Sequence, residues 1–236
     1  MRRTKSKLKW VLSLVRAGET GLILKLLRGK IYSSSISICL RRDLADPFEA
    51  PAAKVPITVS AARERDAAAL FDAAIPGLCA EEMKDRATRW GLFQSGISGC
   101  YVALDSGGLP CYAQWLLISA DNHRIRDFFG GTFPTLKLDE ALVEGVFTAG
   151  SHRGQGIMSE AMSLIAERAS GLGVRYLMAF VAEDNIASLK GFKRAGFVPY
   201  MLWRTDWRLL RPRVKFVPLP NGATCALGDN LVSRTM

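Results

Sequence analysis

Apolar positions along the chain follow two rhythms, and the change from one to the other marks out the elements. Residues 141–149, "ALVEGVFTA", mix β-branched and aromatic side chains over strand length and predict a strand. After a glycine-rich run, Ile157, Met158, Ala161, Met162, Ile165 and Ala169 recur at steps of three and four, which predicts a helix opening inside the glycine run. Residues 174–185, "VRYLMAFVAEDN", form a continuous apolar run with acidic and amide residues at its end, as expected of a strand covered on both faces. Ile186, Leu189 and Phe192 then share one side of a short helix, and Gly196 and Phe197 open a further strand. Upstream, "VPITVSAARERDAAALFDAA" from residue 55 reads as strand then helix, and "AEEMKDRATRWG" as a second helix. "CYVALDSGGLPCYAQWLLIS" reads as a hairpin turning at Asp105 to Gly108.

The first 54 residues have a different character. Arg2, Lys5, Lys9 and Arg16 fall on one side of a helical wheel and Leu8, Val11, Leu12 and Val15 on the other, interrupted by Lys7, with Gly18 and Gly21 breaking the pattern. Arg16, Glu19 and Lys25 exclude a membrane-spanning reading and leave a basic amphipathic element. Alternation at Ile36, Ile38 and Leu40 predicts an additional strand, and "ADPFEAPAAKVP", with three prolines in twelve residues, predicts a linker. The expected organisation is an N-terminal extension and linker over 1–54, one α/β domain over 55–210, and a C-terminal strand or tail over 211–236.

Charge sharpens this division. Residues 1–42 hold eleven Lys or Arg and one acid, and so carry the entire net charge of +10, while the remainder is balanced. At 236 residues and 49% hydrophobic content, the chain supports one catalytic-sized domain with extensions. Five cysteines without paired spacing and without a secretory signal point to reduced thiols and a cytoplasmic setting. With two histidines, no zinc site or other metal is expected.

The chemistry centres on "GSHRGQGIM", residues 150–158. Strand, glycine loop and helix in succession present free N–H groups and the positive end of a helix dipole to an anion. Ile157 and Met158 stand where a Walker loop needs Lys and Ser or Thr, and Ser159 stands where the dinucleotide fingerprint needs its third glycine. Arg153, Gly154, Gln155, Gly156, Ile157 and Met158 instead resemble the pyrophosphate loop of the GNAT-superfamily acyltransferases, [R/Q]-x-x-G-x-[G/A], with Met158 replacing its small last residue. Residues 185–197, "NIASLKGFKRAGF", resemble the family's second signature at matching spacing.

The resemblance implies a single GNAT-like domain: a central mixed, mainly antiparallel twisted sheet flanked by helices. It implies an N-acyltransferase that moves an acetyl or other acyl group from acetyl-CoA or another acyl-CoA to a small-molecule amine by direct attack on the thioester. The donor contacts it implies are Thr148, Arg153, Gly154, Gln155, Gly156, Ile157, Met158, Asn185, Ser188 and Phe192. Asn185 is equally suited to cap a helix. Glu144, in the strand before the loop, is the candidate base for the amine, with Glu140 and Asp184 behind it. A backbone N–H near Phe147 or Thr148 is expected to meet the oxyanion. Phe192 stands where many members carry a Tyr that returns the thiolate's proton, which leaves Tyr200 or water for that role. Residues 1–42 suit an anionic membrane surface or an acidic acyl carrier protein. The latter suggests a carrier-dependent enzyme for longer chains as the alternative, with a non-catalytic or nucleic-acid-binding protein a more distant one.

Overall fold

The computed structural model describes residues 32–209 and 211–219. Eight strands form one sheet: β1 Tyr32–Asp43, β2 Thr58–Ala61, β3 Cys100–Leu104, β4 Pro110–Ile118, β5 Glu140–Thr148, β6 Tyr176–Ala182, β7 Val198–Arg208 and β8 Arg211–Pro218. The helices are α1 Glu64–Phe71, α2 Ala80–Gln94, α3 Asn122–Phe129, α4 Ile157–Gly171 and α5 Ile186–Arg194. Strand order is β2-β3-β4-β5-β6-β1-β7-β8. Every neighbouring pair is antiparallel except β5–β6.

The sheet separates two cores. On one face Ile157, Ala161, Met162 and Ile165 of α4, with Leu189 and Phe192 of α5, pack on Leu40, Tyr112, Val143 and Leu177. On the other, Ala67, Leu70 and Phe71 of α1, Leu92 of α2 and Ile125 of α3 pack on Trp115, Leu117, Leu142 and Phe147. Helix α3 was not anticipated from sequence. Its eight residues give only two turns of periodicity, and its end is set by Gly130 at φ 70°.

The boundary expected at residue 54 does not coincide with a break in the sheet. Strand β1 is an inner strand, paired with β6 from Ser37 to Asp43 and with β7 from Tyr32 to Arg41. Its Ile38, Cys39 and Leu40 are buried, although a run of serines precedes them. The proline-rich stretch after β1 is pinned as well. Phe48 covers Gly196, where a Cβ would come within 2.8 Å of its ring, and the Arg42 guanidinium lies 5.0 Å from the Phe48 centroid. Ala53 N–H donates to Glu160 Oε2 at 2.6 Å, and Lys54 N–H donates to the Gln155 carbonyl at 2.7 Å. The basic amphipathic element read from Arg2 to Arg16 and the tail beyond 219 lie outside the described residues. Among those described, no helix is long and apolar enough to cross a membrane.

Candidate active site between α4 and α5

The parallel pairing of β5 with β6 runs only from Glu140 to Leu142 against Tyr176 to Met178. Beyond that point β5 bulges: its register on β4 passes from Glu144 opposite Trp115 to Phe147 opposite Ala113, leaving Gly145 and Val146 out of step. Gly145 has φ +63°, and a Cβ there would lie 2.6 Å from the Trp115 ring, so glycine is required on both conformational and steric grounds. Arg89 of α2 secures the bulge, with Nε on the Gly145 carbonyl at 3.2 Å and Nη2 on the Val146 carbonyl at 3.0 Å. Nothing in the periodicity of "AEEMKDRATRWG" distinguished this arginine from its solvated neighbours.

A cleft of about 350 Å³ opens between the glycine loop, α4 and α5. Of the residues expected at a donor site, Thr148, Arg153, Gly154, Gly156, Ile157, Met158, Asn185 and Ser188 line it. Val146, His152, Ser159, Ala187, Lys190, Gly191 and Arg194 complete the lining. The wall therefore carries Arg153, Lys190 and Arg194 and no carboxylate, which favours an anionic guest. Gly154 and Gly156 have φ +75° and +82°, and Gly156 is the N-cap of α4 without a side-chain cap. The first N–H groups of α4, which no earlier carbonyl of the helix can reach, stand at the end of the helix dipole that attracts negative charge.

The loop is braced from three sides. Arg153 Nε donates to the Thr148 carbonyl at 3.3 Å. His152 Nε2 lies 3.2 Å from Asp105 Oδ2 in the β3–β4 turn, and its Nδ1 lies 2.9 Å from Ser151 Oγ. The N–H groups of Leu109 and Gly107, then His152, hold the Asp105 carboxyl below the usual carboxylate range. Gln155 is outside the cleft wall. Its carbonyl takes the Lys54 N–H and its Nε2 donates to the Ser151 carbonyl at 3.2 Å, so this side chain shapes the loop from behind.

The model of the GNAT acetyltransferase family matches residues 79–197. The chain belongs to the GNAT family.

No curated protein matches the chain. Among solved structures it resembles a GNAT-family acetyltransferase from Colwellia psychrerythraea at 15% identity and TM-score 0.47, over 84% of this chain and 61% of that one. A second is an N-acetyltransferase of the same family from Sphaerobacter thermophilus at 17% identity and TM-score 0.46, over 79% of this chain and 56% of that one. A third, from Kribbella flavida, stands at 17% identity and TM-score 0.43, over 86% and 65%. The chain thus spans roughly three fifths of the length of each.

Two departures from the GNAT signatures can now be placed. Met158, where the family has a small residue, is accommodated by Gly191 on the facing helix: its thioether takes the space that a Cβ at 191 would need. Phe192 is a core residue, 3% exposed, with its ring edge-on to Phe197 at 5.0 Å, and it is not among the cleft walls. Tyr200 does not stand in for it. Its ring packs with the core on the opposite face of the sheet, and its hydroxyl lies 3.6 Å from Met178 Sδ on β6. Burial pushes that phenol up to about 12. Asn185 caps α5, accepting the Ser188 N–H on Oδ1 at 3.1 Å, and also lines the cleft, so the cap and the cleft position coexist in one residue.

Glu144 lies on β5 opposite Trp115 of β4, directly before the bulge, and is not among the residues that line the cleft. Loss of water around it pushes its carboxyl above the ordinary range, opposed by the Gly145 N–H and by Arg89. Glu140 is occupied at the start of β5, accepting the Lys137 N–H at 2.9 Å. Asp184 is exposed in the turn before Asn185.

Proposed function

We propose that this GNAT member transfers an acetyl or other acyl group from coenzyme A to a small-molecule amine. The observation that carries this reading is the cleft itself: uncapped N–H groups at the start of α4, two glycines without Cβ atoms and three cations, with no carboxylate among the lining residues. A diphosphate bearing a further phosphate matches that wall, whereas a carrier-bound phosphopantetheine offers a single phosphodiester.

In this reading the acceptor amine approaches from the Glu144 side and attacks the thioester carbon. A C–N bond forms, the C–S bond breaks, the ammonium proton passes to the Glu144 carboxylate, and the thiolate takes a proton from water. A carboxylate raised by desolvation is a better base near neutral pH than an ordinary one, provided it remains ionised. In this reading the Val146 N–H, at the bulge and on the cleft wall, joins the expected Phe147 and Thr148 as a candidate to meet the oxyanion.

The test is calorimetry with acetyl-CoA, followed by a screen of amines with release of free thiol as the readout, run in parallel with an acyl-loaded carrier protein. Saturable acetyl-CoA binding and thiol release with at least one amine are the expected result. Turnover with the carrier protein alone would move the donor assignment to the carrier-dependent alternative. Binding of neither donor would remove the enzymatic reading.

A further inference from the structure

Aromatic rings on the sheet face away from α4 and α5 fall into two groups. Phe71 contacts Trp115 and Phe147, and all three are shut away from water, at 2%, 0% and 8% exposure. Farther along the same face, Phe129, Phe133, Phe180, Trp203 and Phe216 touch in series, and none of them is buried. They come from α3, the α3–β5 loop, β6, β7 and β8. The Phe133 and Trp203 centroids lie 5.6 and 4.9 Å from that of Phe180, and Phe216, 42% exposed, stacks on Trp203 at 6.1 Å. Rings gathered only to stabilise a fold are hidden as the first group is, whereas the second keeps a continuous apolar wall toward water. Trp203 adds a polar signal: its indole Nε1 is closed off from water and has no hydrogen-bond partner among the described residues. Packing alone does not call for that donor, and leaving it unpaired costs stability.

Strand register brings this wall to Glu144. Glu144 pairs with Trp115 on β4 and follows Leu142 by two residues on β5, and both of those belong to the second core, so its side chain leaves the sheet on that face. Phe180 follows Met178 by two residues on β6, and Met178 is the last residue of the parallel pairing, against Leu142. Glu144 and Phe180 are therefore the first side chains to face each other where β5 and β6 part, on the side of the sheet opposite α4 and α5. The Trp203 ring reaches across β1 to touch Phe180, so a single ring separates the carboxylate end of the wall from the indole.

We infer that the acceptor is a primary amine joined to an aromatic ring by a short chain, with its nitrogen at Glu144, its ring against Phe133, Phe180 and Trp203, and a ring oxygen on Trp203 Nε1. The inference rests on the acyl-transfer reading above and adds the class of the acceptor to it. A carboxylate bordered by rings attracts an ammonium group through both its charge and the ring faces. The half-buried rings beyond it reward a flat apolar body, because aromatic pairs gain from edge and offset contacts as well as from burial. A polyamine would satisfy the carboxylate and leave the wall against water.

The test measures thiol release from acetyl-CoA by the full chain with phenylethylamine, its ring-hydroxylated analogues, butylamine and spermidine. The aromatic amines are expected to exceed both aliphatic ones by about 10- to 100-fold in kcat/KM, the worth of burying one ring. Phe180→Leu is expected to raise KM for the aromatic amines about tenfold, with KM for butylamine and the calorimetric affinity for acetyl-CoA unchanged. Trp203→Phe keeps a ring and removes the N–H, and is expected to erase the preference for a hydroxylated over a plain ring. Aliphatic amines that turn over as fast as aromatic ones would overturn the inference and leave acyl transfer standing. So would Phe180→Leu slowing all amines alike, or a hydroxyl preference that survives Trp203→Phe. Wild type that binds no acetyl-CoA would instead remove the acyl-transfer reading, and this inference with it.

Discussion

Met158 and Gly191 make a coupled pair whose energetics can be worked from their contact. A Cβ at position 191 would fall on the Met158 thioether, with Cε at 2.9 Å and Cγ at 3.4 Å. Alanine in a helix interior is ordinarily worth about 0.5–1 kcal/mol over glycine, but crowding a filled contact costs about 1–3 kcal/mol. Gly191→Ala alone is therefore expected to be neutral to destabilising by about 2 kcal/mol. Met158→Ala, at a half-buried site, is expected to cost about 1–2 kcal/mol, below the range for fully buried methionine. In the Met158→Ala background the obstruction is gone, so Gly191→Ala should recover its helical gain of about 0.5–1 kcal/mol. The coupling across the four proteins is then about 1–3 kcal/mol. Chemical denaturation of the cycle measures it, and acetyl-CoA calorimetry on the same four proteins shows whether a displaced thioether narrows the cleft that both residues line. Additive changes within about 0.5 kcal/mol, together with unchanged acetyl-CoA affinity for Gly191→Ala, would refute the pairing.

Other outcomes are equally direct. Gly156→Asp should abolish acetyl-CoA binding by calorimetry, since it places charge against the phosphates, forces a side chain at φ +82° and crowds Ala53 Cα at 3.3 Å. Glu144→Gln should lower turnover by about 10²- to 10⁴-fold with little change in donor affinity, and should abolish the acid limb of the pH–rate profile, which in wild type lies above the ordinary carboxylate range. The folded protein holds the Glu144 proton more tightly than the unfolded chain does. Its stability contribution is therefore complete below the unfolded range and is lost as pH rises through the folded value, so Glu144→Gln should melt at or above wild type at neutral pH, with the gain vanishing in acid. Arg89→Ala should reduce turnover more than donor affinity, because it releases the Gly145 and Val146 carbonyls while leaving the glycine loop in place.

What was legible in the sequence was whatever repeats within a short window. The strand before the glycine loop, the α4 periodicity and the two signatures are local patterns, and the structure places eight of the ten expected donor residues on one cleft. Gln155 and Phe192 fall outside it because a motif assigns a position along the chain and not the direction of a side chain. One turns behind the loop and the other packs into the core. Arg89 was invisible because its partners, the carbonyls of a bulge, lie more than fifty residues away. The place of β1 was hidden for a related reason: alternation at Ile36, Ile38 and Leu40 identifies a strand, but neighbours in a sheet are chosen by packing that no window spans.

That inner position of β1 also sets an order of events. The strand leaves the ribosome before any of its partners, and its far contacts close 172 and 175 positions later, where Ser34 meets Asp206 and Ser33 meets Arg208. Pairings of such long range are slow to form, because the chain loop must close before any bond rewards it. Until β6 and β7 are made, a strand with Ile36, Ile38, Cys39 and Leu40 has both edges open and presents a template for pairing with other chains. Refolding from denaturant should therefore be limited by the docking of β1, whose two edges stay open until β6 and β7 are in place.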